Sequence, residues 1–452
     1  MASSRKTAAS ETVVARIDAA LAAHVPAGAR LTLGLSGGID SAVLLDALAA
    51  LRTRRGFHLD CLHVHHGISP NADAWAAHAR ALAAAYGLDC AVRKVDLAPH
   101  RGLGLEGAAR AARYAVYAGC DCDFVVLAHQ QDDQAETVLL QLARGAGVEG
   151  LAAMPVCRPL RAGQRRPRLL RPMLDVSRAE VEAYARSRGL RWVEDESNAD
   201  TGLARNLVRH EVMPLLERIN PAARVNIARA AAHLGDAAAL LDALADADLE
   251  RAQAGEALDL GVLRGLGGAR AANALRRWLA RAGIISPSTA ELREALRQLF
   301  EAREDAGPLA DFGTAALRRY RGRAFLVPHL PEPPQAYQAR WNGELAWPLP
   351  ELGGVLHFEP AAEGGLAERH LSSMTVRLRA GGERFRTDAR RPHRTLKHLL
   401  QEAAVPPWQR ERLPLLYVGE RLACVPGIGV APEFQAAPGE RGVLPRWRLA
   451  RE

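Results

Sequence analysis

The chain has 452 residues, 48% of them hydrophobic, and a formal net charge of +8. That length suits two to four domains with buried cores, and the lack of an apolar run of roughly eighteen residues argues against a membrane-spanning helix. The excess charge is nearly all arginine, with lysine only at Lys6, Lys94 and Lys397, and the six cysteines form no CxxC pair, so reduced thiols are expected rather than a metal–sulfur site.

The opening "MASSRKTAASETVV" has no apolar segment after its charges, which gives no secretion signal and predicts a cytoplasmic protein. Strand-like and helix-like stretches then alternate. "RLTLGL" is a strand and "SAVLLDALAAL" a helix; "FHLDCLHVHH" is a strand and "ADAWAAHARALAAAYG" a helix. "LDCAVRKVDL", "LEGAARAARYAVYAG", "DFVVLAH" and "DDQAETVLLQLARG" continue the rotation. Such rotation predicts right-handed crossovers and a parallel sheet covered on both faces, with ligands at the carboxyl ends of the strands.

Residues 150–174 break the rhythm with six arginines and no acid. "SRAEVEAYARSRGLRWVEDESNAD" predicts a helix, a short strand and a polar loop, and "ARNLVRHEVMPLLERINP" closes the first domain at Pro221. Residues 222–326 are rich in alanine and leucine at helical spacing, and "VPHLPEPPQAYQARW" is a proline-rich linker.

Ser36-Gly37-Gly38-Ile39-Asp40-Ser41 stands between the first strand and the first helix of this rotation. Its glycines allow a sharp turn, and the helix start offers unpaired N–H groups to an anion. A P-loop would carry lysine here; this loop carries an acid. A carboxylate beside polyphosphate needs a cation between them, and Mg²⁺ suits carboxylate plus phosphate oxygens. The loop therefore predicts ATP held by Ser36, Gly37, Gly38, Ile39, Asp40 and Ser41, with Asp40 on Mg²⁺ and pyrophosphate as the leaving group.

SGGIDS resembles the PP-loop of N-type ATP pyrophosphatases. With "HVHHGISPNADAW", "EGAARAARYAVY", "LAHQQDDQAET" and "EDESNADTGLARNLVRHEVMPLLERINP", the first domain looks like that of the tRNA(Ile)-lysidine synthase family. "VRLRAGGERF" through "RLACVPGIGVA" resembles the family's last domain. The resemblance covers about three quarters of the chain by eye and is weakest in the middle. It implies an α/β fold class: a parallel-sheet, adenine-nucleotide α-hydrolase-like PP-loop domain (1–221), a small helical middle domain (222–326), a linker with a β-rich connection (327–369) and an α+β C-terminal tRNA-binding domain (370–452). It implies ligation of free L-lysine to C2 of the wobble cytidine of a tRNA(Ile) with a CAU anticodon, through an adenylated intermediate. The alternatives are another PP-loop tRNA modifier with a different nucleophile and a non-catalytic tRNA-binding protein. The partners expected are this tRNA and lysine, not a membrane, with a homodimer left open.

The same resemblance places Asp133 and Glu136, three apart on one helix face, toward the lysine. Asp132 is explained equally well as a first-turn acid complementing the helix dipole. Arg110 and Arg113 are candidates for the α-phosphate or the transition-state charge. His129 ends a strand and is a candidate substrate contact; many relatives carry a second histidine where this chain has Gln130. His63 and His66 are expected to order the loop by hydrogen bonds. Asn198, Arg205, Asn206 and Arg209 match family positions near the site, and Arg205 is the choice among them for tRNA or phosphate.

For the tRNA backbone, the run Arg158, Arg161, Arg165, Arg166, Arg168 and Arg171 has no compensating acid, and ten Lys/Arg face four Asp/Glu between Thr375 and Arg412. Arg379, Arg384 and Lys397 represent the second group. Trp408 is expected in the core rather than as a base-stacking platform.

Overall fold

A computed structural model describes residues 2–160, 167–194, 202–284, 287–301, 310–361 and 364–449. Asn198, Arg161, Arg165 and Arg166 lie outside the described residues. The chain divides into two compact units, residues 1–247 with 277–283, and residues 248–276 with 284–452. No described helix is long and apolar enough to cross a membrane.

The first unit runs α1 (Ala2–His24), β1 (Arg30–Gly34), α2 (Ile39–Arg55), β2 (His58–His65), α3 (Ala72–Ala84), β3 (Cys90–Lys94), α4 (Gly104–Ala118), β4 (Phe124–Val126), α5 (Gln131–Ala143), α6 (Val148–Leu151), β5 (Cys157–Pro159), β6 (Arg168–Leu170) and α7 (Arg178–Arg188). The short α8 (Ala204–Leu207), a π turn at Val208–Val212, α9 (Met213–Ile219) and the long α10 (Ala223–Ala252) follow. Pro214 has no N–H to donate to the carbonyl of His210, which favours the wide turn just before it.

The sheet order is β3-β2-β1-β4-β6-β5, parallel except that β5 pairs antiparallel with β6. The antiparallel edge is where the arginine-rich break in the rotation begins and ends. Side chains alternate across the sheet, as strand geometry requires. Phe124, Val126 and Leu170 join one core with Ile17, Val43, Leu44 and Leu48; Val125 and Leu169 join another with Leu62, Tyr117 and Leu127. Strands β2 and β3 lie on one side of β1, and β4 lies on the other. The connection direction thus reverses between β1 and β4, and the crevice at their carboxyl ends is the ligand position of such sheets.

Asp46 pins α2 to its neighbours from a 4% exposed position. It accepts from the Tyr184 hydroxyl at 2.6 Å, the Tyr86 hydroxyl at 3.0 Å and Arg188 Nε at 3.0 Å. Burial would raise its pKa; the bonds from Arg188, Tyr184 and Tyr86 outweigh that and hold it below the ordinary carboxylate range. Asp46→Ala should cost about 1–3 kcal/mol at neutral pH. Because the folded-state pKa is depressed, this stability exists above the unfolded value of about 3.9 and is lost as pH falls through the folded one. Melting curves should therefore show the gap to wild type closing below about pH 4. A gap that stays constant on acidification would assign the loss to packing instead.

Two expectations change. The short strand expected after α7 does not form: residues 190–194 run without regular structure, held by bonds from Leu190 N to the Ala185 carbonyl and from Val193 N to the Gly37 carbonyl, each 3.0 Å. The middle region is not purely helical. Besides helices Leu260–Gly265, Gly268–Arg281 and Thr289–Glu301, it holds a five-stranded antiparallel sheet of Gln253–Ala254, Ala257–Asp259, Arg323–Pro328, Ala315–Tyr320 and Ala310–Asp311. Those strands are two to six residues long, too short for alternation to stand out from the helical pattern around them.

The rest of the second unit contains a five-stranded and a four-stranded sheet around one core, with short helices Leu396–Glu402 and Pro407–Arg410. Trp408 packs edge-on against Phe325 (5.5 Å between centroids) and Tyr320 (6.2 Å), with Arg318 over its ring. The residue is half-buried and packs among these side chains.

Candidate active site

The loop after β1 is built by conformation and by serine bonds. Gly37 sits at φ +90, which a side chain rarely adopts, and a Cβ there would lie 3.3 Å from His78 and Val193. A Cβ on Gly34 would lie 2.6 Å from the Leu127 side chain and 2.7 Å from the Tyr117 hydroxyl, so those side chains leave no room for one at the end of β1. Gly37 N donates to Ser41 Oγ at 3.2 Å, Gly38 N to Ser36 Oγ at 3.3 Å, and Ser41 Oγ to the Gly38 carbonyl at 2.9 Å. The Ser36 and Ser41 hydroxyls meet at 3.1 Å. Gly38 caps α2 in extended conformation, and Ile39 is buried under the loop.

Beside this loop lies a cavity of about 420 Å³ lined by Ser36, Asp40, Ser41, His63, His66, Trp75, Arg110, Arg113, Tyr114, His129 and Asp133, among others. The expected ATP loop, the α4 arginines and the β4 histidine therefore converge on one space. His63 Nδ1 bonds the Leu35 carbonyl at 2.9 Å and ties β2 to the loop, in keeping with an ordering role. His66 is held neutral by burial and by Arg113, its pKa pushed down to about 4. Arg110 lies over the Tyr114 ring at 4.9 Å and donates to its hydroxyl at 3.2 Å. Arg113 Nε is buried with no hydrogen-bond partner among the described residues, a donor available to a ligand.

Asp40 accepts from Gln130 Nε2 at 3.1 Å and from Arg178 at 3.3 Å. Burial raises its pKa to about 6 even though Arg178 opposes the shift; Asp133 and Asp132 add to it. Arg178 was not among the sequence candidates. It opens α7, 138 residues from Asp40, and nothing in its local pattern marks it.

The acids of α5 are less available than the sequence suggested. Glu136, expected to face lysine, is fully buried and does not line the cavity; Arg209 Nε donates to it at 2.6 Å and Arg205 Nε at 2.7 Å. Asp133 does line the cavity but accepts from Arg205 at 2.7 Å and from Gln130 N at 2.8 Å. Burial raises its pKa. Arg205 is engaged within the protein: α8 and the π turn aim it and Arg209 at the two carboxylates. Asn206 is buried nearby on α8. Asp132 accepts from Arg178 N at 3.1 Å and Arg224 at 2.8 Å, so it joins α5 to the starts of α7 and α10.

The arginine run is also corrected in part. Arg171 is 2% exposed, and Arg158 lies 5.8 Å from the Tyr114 centroid. In the second unit, Arg384 and Lys397 are exposed with no carboxylate in ion-pair range among the described residues, while Arg379 pairs loosely with Glu383 at 3.7 Å.

Three family models match the chain: a PP-loop domain over residues 9–216, a TilS substrate binding domain over 258–325 and a TilS substrate C-terminal domain over 374–448. The chain is 46% identical to the tRNA(Ile)-lysidine synthase of Azoarcus sp. (strain BH72), covering 94% of this chain and 93% of that one. It belongs to the tRNA(Ile)-lysidine synthase family. A second member, from Nitrosomonas europaea, is 42% identical over 94% of this chain and 93% of its own. The member from Coxiella burnetii is 37% identical over 91% of each. The PP-loop domain and the lysidine synthase relatives support ATP as a substrate of this chain.

Proposed function

We propose that this chain ligates free L-lysine to C2 of the wobble cytidine of a tRNA(Ile) with a CAU anticodon. The C2 carbonyl oxygen attacks the α-phosphorus of ATP and pyrophosphate leaves. The ε-amine of lysine then attacks C2, loses a proton, and expels AMP. Lysidine pairs with A, so decoding moves from AUG to AUA. A cytosine C2 carbonyl has no leaving group of its own, and the adenylate supplies one.

The observation that carries this reading is an acid-bearing phosphate loop at the edge of a cavity lined by Arg110, Arg113 and His129, in a chain of this family. The loop amides and the start of α2 would hold the outer phosphates. Asp40 suits Mg²⁺ brought in by the nucleotide: burial raises its pKa despite Arg178, and a cation would relieve that cost, while Mg²⁺ needs only one or two carboxylates beside phosphate oxygens. That cation would neutralise charge on the departing pyrophosphate. Arg110 and Arg113 would meet the α-phosphate, and Asp133, which lines the cavity, would face the lysine ammonium. Glu136 would act through Arg205 and Arg209. Arg379, Arg384 and Lys397 would contact tRNA phosphates from the second unit, and the domain boundaries near 221, 326 and 370 would separate these tasks. The reaction belongs in the cytoplasm, with the tRNA pool.

The test is incubation with ATP, lysine and the cognate tRNA, followed by nucleotide analysis and mass spectrometry of the anticodon nucleotide. AMP, pyrophosphate and a lysine-sized mass gain are expected. Release of ADP, or full activity without lysine, would overturn the reading.

A further inference from the structure

Arg171 follows β6 and is a buried cation without a carboxylate partner among the described residues. It is 2% exposed. Burying a charge this way is costly unless each donor is used. Each of its three nitrogens donates: NH1 to the Pro155 carbonyl at 2.9 Å, NH2 to the Tyr114 hydroxyl at 3.4 Å, and Nε to His129 Nδ1 at 3.3 Å. Burial would raise the Tyr114 phenol; Arg110, then Arg171 and Arg158, outweigh it and hold the pKa below its ordinary value. The phenol is thus the nearest approach to a counter-charge.

The bond to His129 has a chemical consequence. Arginine only donates, so Nδ1 must accept and carries no proton. A neutral imidazole then bears its proton on Nε2. Protonating the ring would put two donors face to face and add a charge beside Arg171. Arg205, Arg110 and Arg113 also face this ring from α8 and α4, and burial with these charges keeps it neutral well below the usual histidine range.

We infer that Arg171 is a positioning residue that locks His129, a cavity-lining side chain, as a neutral Nε2–H donor, so that His129 binds an acceptor oxygen of the substrate and does not take the proton of the attacking amine. The nature of that oxygen, phosphoryl or carbonyl, rests on the function proposed above. The lock itself does not.

The wild-type chain labelled with ¹⁵N-histidine tests it without substrate. His129, assigned by its loss in His129→Gln, should show the Nε2–H tautomer across the neutral range. An Nδ1–H or doubly protonated ring at pH 7 would overturn the inference. In turnover, His129→Gln keeps an N–H at that end of the side chain and should retain activity within roughly tenfold, whereas His129→Leu should lose roughly 10²–10³-fold in kcat. Equal losses in the two, with the acid limb of the wild-type rate profile abolished in both, would make His129 the base and sink the donor role. Arg171→Met should mix the His129 tautomers and lower kcat by roughly 10–100-fold, and Arg171→Lys, which can still donate to Nδ1, should recover part of both. An unchanged tautomer in a folded Arg171→Met would show that Arg171 does not set it. If no lysidine forms under any condition, the proposed reaction fails while the tautomer result stands.

Discussion

Asp40→Asn should slow adenylation by roughly 10²–10³-fold and at the same time make the free protein more stable. The loss follows from the proposed role: Asp40 would hold the Mg²⁺ that neutralises the departing pyrophosphate, and removing one such stabilising group costs roughly 10²–10³-fold in rate. The gain follows from burial. Asp40 rises from 3.8 to about 6 on folding, which at ~1.4 kcal/mol per pH unit is roughly 3 kcal/mol. Its side chain is 31% exposed, and solvent screening brings the figure to about 2 kcal/mol. A raised carboxyl pKa means that folding favours the protonated form, so the wild type is best off below about pH 4 and loses stability as pH rises through about 6. Asparagine escapes this loss. Urea unfolding without nucleotide or metal should show the variant ahead at pH 8 and level with wild type near pH 4. A variant that is less stable at pH 8 would mean Arg178 compensates the carboxylate fully, and the case for a missing cation would fall.

Glu136→Ala should be among the most destabilising single changes in the first unit. The carboxylate is fully buried and takes three bonds, from Arg205 Nε and from Arg209 Nε and NH2. Removing it leaves two guanidinium groups sharing Asp133 as their ion-pair partner among the described residues. Breaking a buried pair from one side costs about 3–5 kcal/mol. Glu136→Gln, with one acceptor oxygen left, should fall between. Its KM for lysine should move little where folded, since Glu136 does not line the cavity. Asp133→Asn should instead raise that KM by roughly tenfold or more, the loss of one charged hydrogen bond. Steady-state lysine titrations together with chemical unfolding separate the two. A large KM shift in stable Glu136→Gln would restore the direct lysine contact that the sequence alone suggested.

Much of the first unit was legible because its signals are local. The apolar runs of β1, β2 and β4, the amphipathic α4 and α5, and a glycine pair followed by Asp40 and Ser41 each say what they are within a dozen residues. Gln130 was visible as a departure from the family pattern, but its bond to Asp40 was not. Arg171 was misplaced, and the partners of Arg205 were unseen, for one reason: an arginine has the same appearance in sequence whether it faces solvent, phosphate or a buried acid.

The sequence by itself determined the order of strands and helices, the site of the phosphate loop and the family, because periodicity, glycine placement and motif spacing are written along the chain. The tertiary structure alone decided which charges meet. Arg178 reaches Asp40 across 138 residues, Arg205 and Arg209 reach Glu136 across 69 and 73, and Arg171 reaches His129 across 42. Ion pairing depends on distance in space, and no local pattern encodes that distance until the sheet has brought its strand ends together.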